Sequence, residues 1–274
     1  RLQQWMVCLA MLLSASQVPA ATNVNITLRG DFIQGGLVFG QTCAQCQAQL
    51  EERDLQVSPE GRFIIGFGRD ASPDQELLIT MPGGATIRKA IAVQQRDYPI
   101  QHIDGISSRM MQPSAEDLLR IQHEAQEVTA VRQISSDQDH FLESFIWPLK
   151  GRITGVYGSQ RIFNGEPRQP HYGIDIAAPS GTRITAPAGG VVTLAHPGMF
   201  FAGTTMVIDH GYGLSSTFLH LDEILVEQGQ TVARGDVIAT VGSTGRVTGP
   251  HLDWRVNWFD TRLDPALLVG EMTD

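Results

Sequence analysis

Apolar stretches in this chain are short and β-branched, and glycine or proline interrupts them before a long helix can form. Gly190-Val191-Val192-Thr193-Leu194, Thr204-Thr205-Met206-Val207-Ile208 and Asp236-Val237-Ile238-Ala239-Thr240-Val241 are such runs. Runs of this length, bounded by tight turns, predict strands. The 28 glycines and 14 prolines supply those turns. From Trp147 onward the pattern predicts an antiparallel β-domain, sandwich-like or barrel-like, over residues 147–268.

Upstream, shorter alternations such as Ile26-Thr27-Leu28-Arg29 and Arg62-Phe63-Ile64-Ile65-Gly66-Phe67 predict a small N-terminal β-domain over residues 23–105. Between them the period changes. Leu118, Ile121, Ala125, Val128 and Val131 recur at helical spacing, and Ser114 with Asp117 offers a capping box, which predicts one amphipathic linking helix over residues 114–135. Ser135-Ser136-Asp137-Gln138-Asp139 reads as a loop. The fold class is therefore mainly β with one helix, and 274 residues suit two compact units. His102 and His123 read as incidental surface residues.

A net charge of -9 without any Lys/Arg cluster argues against nucleic-acid binding, which needs a basic face. Arg1, the apolar run Trp5 to Leu13 and the small residues around Val18-Pro19-Ala20 predict a secretory signal over residues 1–20. Its apolar core is too short to span a bilayer, so no stable membrane span is expected after its removal. Cys43 and Cys46 form a C-x-x-C pair. A zinc ribbon needs a second pair and a thioredoxin-like site needs a βαβ setting, which leaves a local disulfide, with two free thiols as the alternative.

Five of the eight histidines follow Trp147, and three of these sit in stretches that look built for a site. His171 and Asp175 are four apart, and His251 and Asp253 two apart. In extended chain an even separation points both members of a pair to one face. Such nitrogen and carboxylate donors, brought together from two strands, suit a catalytic zinc site with three protein ligands and one open position. Taken singly each pair is commonplace. Gly173 and Gly181 leave room for close backbone approach, while Pro170, Gly249 and Pro250 fix the chain around the histidines.

The stretch from His171 through Ile174-Asp175-Ile176 to Thr182 resembles the lysostaphin/LytM-type zinc endopeptidases. So do Ala186-Pro187-Ala188-Gly189-Gly190-Val191-Val192, Phe218-Leu219-His220-Leu221, and Gly242 through Gly249-Pro250-His251-Leu252-Asp253. The resemblance runs over about residues 147–265. It implies one zinc ion per chain held by His171, Asp175 and Asp253, with His220 and His251 as the catalytic pair. His196 and His210 match no role and read as turn residues. Asp253 stands where the family usually has histidine. Aspartate is a competent zinc ligand, but a second carboxylate makes the zinc core formally neutral and should weaken its acidity. The alternative is Asp253 turned away and paired with Arg255 or Arg246.

The implied function is hydrolysis of peptide bonds in peptidoglycan stem peptides or cross-links. Export points to a Gram-negative periplasm, where a D-alanyl-diaminopimelate cross-link would be the target. The competing function is a catalytically inactive domain of this fold that binds and activates another wall hydrolase. Any regulatory protein partner is left unidentified by the sequence.

Overall fold

The computed structural model describes residues 24–272, so the expected secretory signal lies outside the described residues. Strand makes up 43% and helix 12%, and the sheets are open. The chain is mainly β, as its broken apolar runs require.

Two antiparallel sheets open the chain. One orders Thr27–Gly30, Leu37–Gln41 and Arg62–Gly66; the other orders Arg53–Leu55, Gln47–Leu50, Asp74–Thr80 and Thr86–Ala92. Burial alternates along Asp74–Thr80 and is continuous along Phe63–Gly66, and Leu37, Phe63, Ile65, Leu77 and Ile79 are almost wholly buried. A disulfide joins Cys43 to Cys46, with 5.3 Å between their Cα atoms.

The capping box at Ser114 forms as its spacing predicts. Ser114 Oγ accepts from the Asp117 amide, the Asp117 carboxylate accepts from the Ser114 amide, and the helix runs Ala115–Arg132. Its apolar stripe is only partly used. Val128 and Val131 pack on Leu194, Met199 and Val207, whereas Leu118 is 55% exposed and the helix buries Glu124 and Arg132 instead. Glu124 explains the choice, because its carboxylate accepts from the Phe200 amide at 2.8 Å and from Arg120 at 2.7 Å.

The rest of the chain builds a ten-stranded antiparallel sheet. Its main path orders Thr231–Val232, Gly190–Met199, Gly203–Gly211, Leu214–Ile224, His251–Trp258, Ile174–Ala177 and Arg152–Gly155. Val237–Val241 joins it along Leu214–Ile224, and Arg183–Thr185 pairs with Val237–Val241. Burial along its three central strands is nearly continuous rather than alternating, which marks strands covered on both faces. One apolar core runs through both halves of the molecule: Gly66 of the first sheet lies against Trp258 and Leu263 of the last. A fourth, small sheet brings Ile100–Ile103 parallel to Gln160–Phe163.

Candidate active site

Antiparallel register sets Asp175 directly opposite Asp253. Two carboxylates facing each other on neighbouring strands repel unless cations lie between or beside them. Arginines take part of that load. Arg161 pairs with Asp175 Oδ2, and Arg255 grips both oxygens of Asp253, with Nη2 to Oδ2 at 2.6 Å and Nε to Oδ1 at 3.0 Å. Burial pushes the Asp253 carboxyl up, but the Arg255 guanidinium beside it overrides that and holds it well below the usual carboxylate range. Burial acts on Asp175 in the same sense, and the His171 imidazole with Arg161 pulls it back below its ordinary value.

The inner side of the pair is different. His171, 1% exposed, places Nε2 3.1 Å from Asp175 Oδ1, yet neither of its nitrogens nor that oxygen makes a directed hydrogen bond. Such orphaned buried polar atoms are costly unless something binds them. Donor atoms of His171, Asp175 and Asp253 all lie within 4.8 Å of one another. One nitrogen and two carboxylate oxygens turned to one point are the donor set of a small divalent cation, zinc above all. The residues fit the ion.

Space for these side chains comes from glycines. A Cβ on Gly173 would stand 2.5 Å from Asp253 Oδ1, and one on Gly155 would overlap the Asp175 carboxylate. Gly173 is legible in the sequence as a close-approach position. Gly155 and Arg161 are not, because nothing local ties them to Asp175; sheet pairing and strand curvature bring them there.

His220 and His251 stand next to this centre, with ring centroids 4.9 Å apart and His251 Nε2 3.8 Å from Asp175 Oδ1. His220 sits at a bulge. Thr204 pairs with Leu221 and Met206 with Phe218, so one extra residue is accommodated there, and His220 adopts a φ of 63°. A left-handed histidine in a central strand is strained, and such strain persists where it aims a functional group. His220 Nδ1 lies 2.8 Å from the Thr244 carbonyl and His251 Nδ1 lies 2.9 Å from the Gly249 carbonyl. A carbonyl only accepts, so both Nδ1 atoms carry the proton and both Nε2 atoms present a lone pair. Burial pushes the His220 imidazole down to about 4, which keeps that lone pair free at neutral pH.

The five expected site residues thus meet at one place. Asp253 is paired with Arg255 and also faces the ligand cluster, while Arg246 does not contact it. Arg255 has an electrostatic consequence: it returns the positive charge that a second aspartate removes from the centre. The expectation for the remaining histidines needs correction. His196 lies in the Gly190–Met199 strand, and His210 lies wholly buried in Gly203–Gly211. His210 Nδ1–H donates to the Gly189 carbonyl at 2.6 Å and Nε2 accepts from Ser216 Oγ at 2.8 Å. Two buried partners make it a structural group rather than a turn residue.

Comparison with known proteins agrees with this geometry. The family model "Peptidase family M23" matches residues 169–265. Peptidoglycan DD-endopeptidase ShyA of Vibrio cholerae is 42% identical over 110 residues, 39% of this chain and 25% of that protein. DD-carboxypeptidase/endopeptidase Mpg of Neisseria meningitidis serogroup B is 44% identical over 107 residues, 38% of this chain and 24% of that protein. The chain therefore spans about a quarter of the length of these curated relatives. A Pseudomonas aeruginosa crystal structure assigned to peptidase M23 matches far more broadly, at 30% identity and a TM-score of 0.69 over 88% of this chain and 96% of that one. With a relative matched along nearly its whole length, the chain belongs to peptidase family M23.

Proposed function

We propose that this protein is a zinc-dependent endopeptidase that hydrolyses peptide bonds in peptidoglycan stem peptides or cross-links, outside the cytoplasm and in a Gram-negative periplasm. One observation carries the reading: a buried His171, Asp175 and Asp253 cluster, in which both His171 nitrogens and Asp175 Oδ1 are orphaned, lies beside two histidines whose Nε2 atoms are free to take protons. The relatives ShyA and Mpg are named for endopeptidase activity, and ShyA for activity on peptidoglycan, which supports the substrate class.

His171, Asp175 and Asp253 would hold one zinc ion. When bound, the metal supplies Lewis acidity, polarising a carbonyl and acidifying water. Everything else falls to the chain. His220 or His251 accepts a proton from the attacking water at Nε2, and the resulting imidazolium stays anchored because its Nδ1–H still donates to a backbone carbonyl. The imidazolium so formed donates its Nε2–H towards the oxyanion and then returns that proton to the leaving amine, while the partner histidine's Nε2 lone pair accepts a hydrogen bond from the attacking water. Retention of both histidines in this geometry supports catalysis over a purely activating role.

Digestion of purified sacculi by the zinc-loaded protein, with mass spectrometry of the released muropeptides, tests the proposal. Newly freed amino and carboxyl termini in stem peptides, absent with His220→Ala, are expected. Intact sacculi with fully zinc-loaded protein would overturn it.

A further inference from the structure

The cleft beside the histidine pair holds a cation, Arg246, that no acceptor among the described residues answers. Arg246 lines both cavities that flank His220, one of about 170 Å³ reaching Asp253 and Arg255, the other of about 200 Å³ reaching Asp175 and His251. Its backbone amide is tied to the Phe201 carbonyl at 2.9 Å. Its guanidinium lies between two rings, 4.2 Å from the centroid of Phe201 and 4.9 Å from that of Phe163. Aromatic contacts of this kind cover the faces of the guanidinium and leave its N–H edge in need of acceptors.

Among the described residues the Arg246 guanidinium makes no hydrogen bond and no ion pair, although the neighbouring Arg161, Arg168 and Arg255 hold Asp175, Glu166 and Asp253 respectively. The chain as a whole carries 29 acidic against 20 basic residues, so an unanswered arginine in its cleft is not a consequence of overall charge. Burial and the surrounding arginines lower Arg246 to about 10, which leaves it cationic at neutral pH. A guanidinium packed against two rings in the wall of both cavities is suited to recognise a carboxylate.

We propose that Arg246 determines specificity by binding a free carboxylate on the peptide substrate, at the residue adjoining the scissile bond. The position follows from Arg246 and His220 sharing the walls of both cavities. This assignment rests on the endopeptidase reading, and it makes the cleft selective for acidic over amidated peptides.

The test uses two matched cross-linked peptides that differ only in a free carboxyl or a carboxamide at that residue, each also prepared as a non-hydrolysable isostere. Hydrolysis of the first pair and calorimetric binding of the second are measured for the zinc-loaded wild type, Arg246→Gln and Arg246→Lys. Wild type should favour the acid form by about 10- to 100-fold, the range of a charge-assisted hydrogen bond. Arg246→Gln should lose that preference by weakening only the acid form. Arg246→Lys should keep an intermediate preference, and it decides the matter if circular dichroism shows that the Gln variant does not fold. Equal binding of acid and amide by wild type, or an undiminished preference in either variant, would overturn the assignment. Cleavage of neither peptide together with a persisting binding preference would remove the hydrolase reading and leave Arg246 as a carboxylate-binding residue.

Discussion

The two ends of this molecule are both antiparallel β-structure, yet they bury different things. In the N-terminal sheets the interior is Leu37, Phe63, Ile65, Leu77 and Ile79, and buried Gln34 and Ser58 accept hydrogen bonds from backbone amides. In the C-terminal sheet His171, Asp175, Asp209, His210, His220, Asp253 and Asn257 are buried too. Burying a charge is expensive unless it is paired. Burying such groups on four neighbouring strands is what a ligand site would require, and the orphaned His171 nitrogens and Asp175 Oδ1 fall within that stretch.

That contrast breaks most sharply at the metal ligands. His171→Ala and Asp253→Ala should each take zinc from one per chain to background and abolish hydrolysis, because a three-ligand site loses one donor. Metal analysis of the purified variants checks it, and undiminished zinc in either would remove that residue from the set. Next come the two free lone pairs. His220→Ala and His251→Ala should retain zinc while turnover falls by about 10²- to 10⁴-fold, the usual contribution of a general acid or base. Steady-state kinetics beside a zinc assay distinguishes this from ligand loss.

The apolar end should respond in the opposite sense. Leu77→Ala, at a wholly buried position, should cost about 2–5 kcal/mol of stability and leave zinc stoichiometry unchanged. Denaturant titration with and without metal would show it. Restoring the ordinary family ligand gives a less obvious result. Asp253→His leaves Arg255, 23% exposed at its side chain, without its carboxylate. Stability should therefore fall by about 3 kcal/mol, the low end for a broken buried pair, and Arg255→Met in the same background should recover most of it. Equal stability of the single and double variants would show that the pair contributes little.

The smallest effect is a pH slope. Burial pushes His210 down to about 4, while the unfolded chain takes up its proton near 6.5. The unfolded state thus binds more protons between those values, so stability is full above about 6.5 and declines as pH falls towards about 4. His220 contributes with the same sign. Thermal unfolding from pH 7 to 4 should show the decline, and His210→Gln should flatten part of it.

Much of this was legible locally. Strand-length runs, the Ser114–Asp117 box and the even spacing of His171 with Asp175 and His251 with Asp253 follow from backbone periodicity, which a sequence displays directly. Resemblance to a known family assigned the roles that spacing alone left open. Leu118 shows the limit of periodicity, since a helix with an apolar stripe still turned Glu124 inward once the Phe200 amide offered a partner. His196 and His210 show another, because a histidine beside glycine or proline looks like a turn until the strands around it are paired.

What the sequence by itself determined is therefore the β-rich class, the helix start and the identity of five candidate site residues, all of them set by interactions a few residues long. Only the tertiary structure decided that Asp175 faces Asp253, that a bulge turns His220 towards His251, that Arg161 and Arg255 hold the two carboxylates, and that Arg246 is left unpaired. Those facts depend on register between residues up to 80 apart in the chain. Register is chosen by the whole core at once, because a slip of one residue would move every side chain of a strand to the opposite face of the sheet.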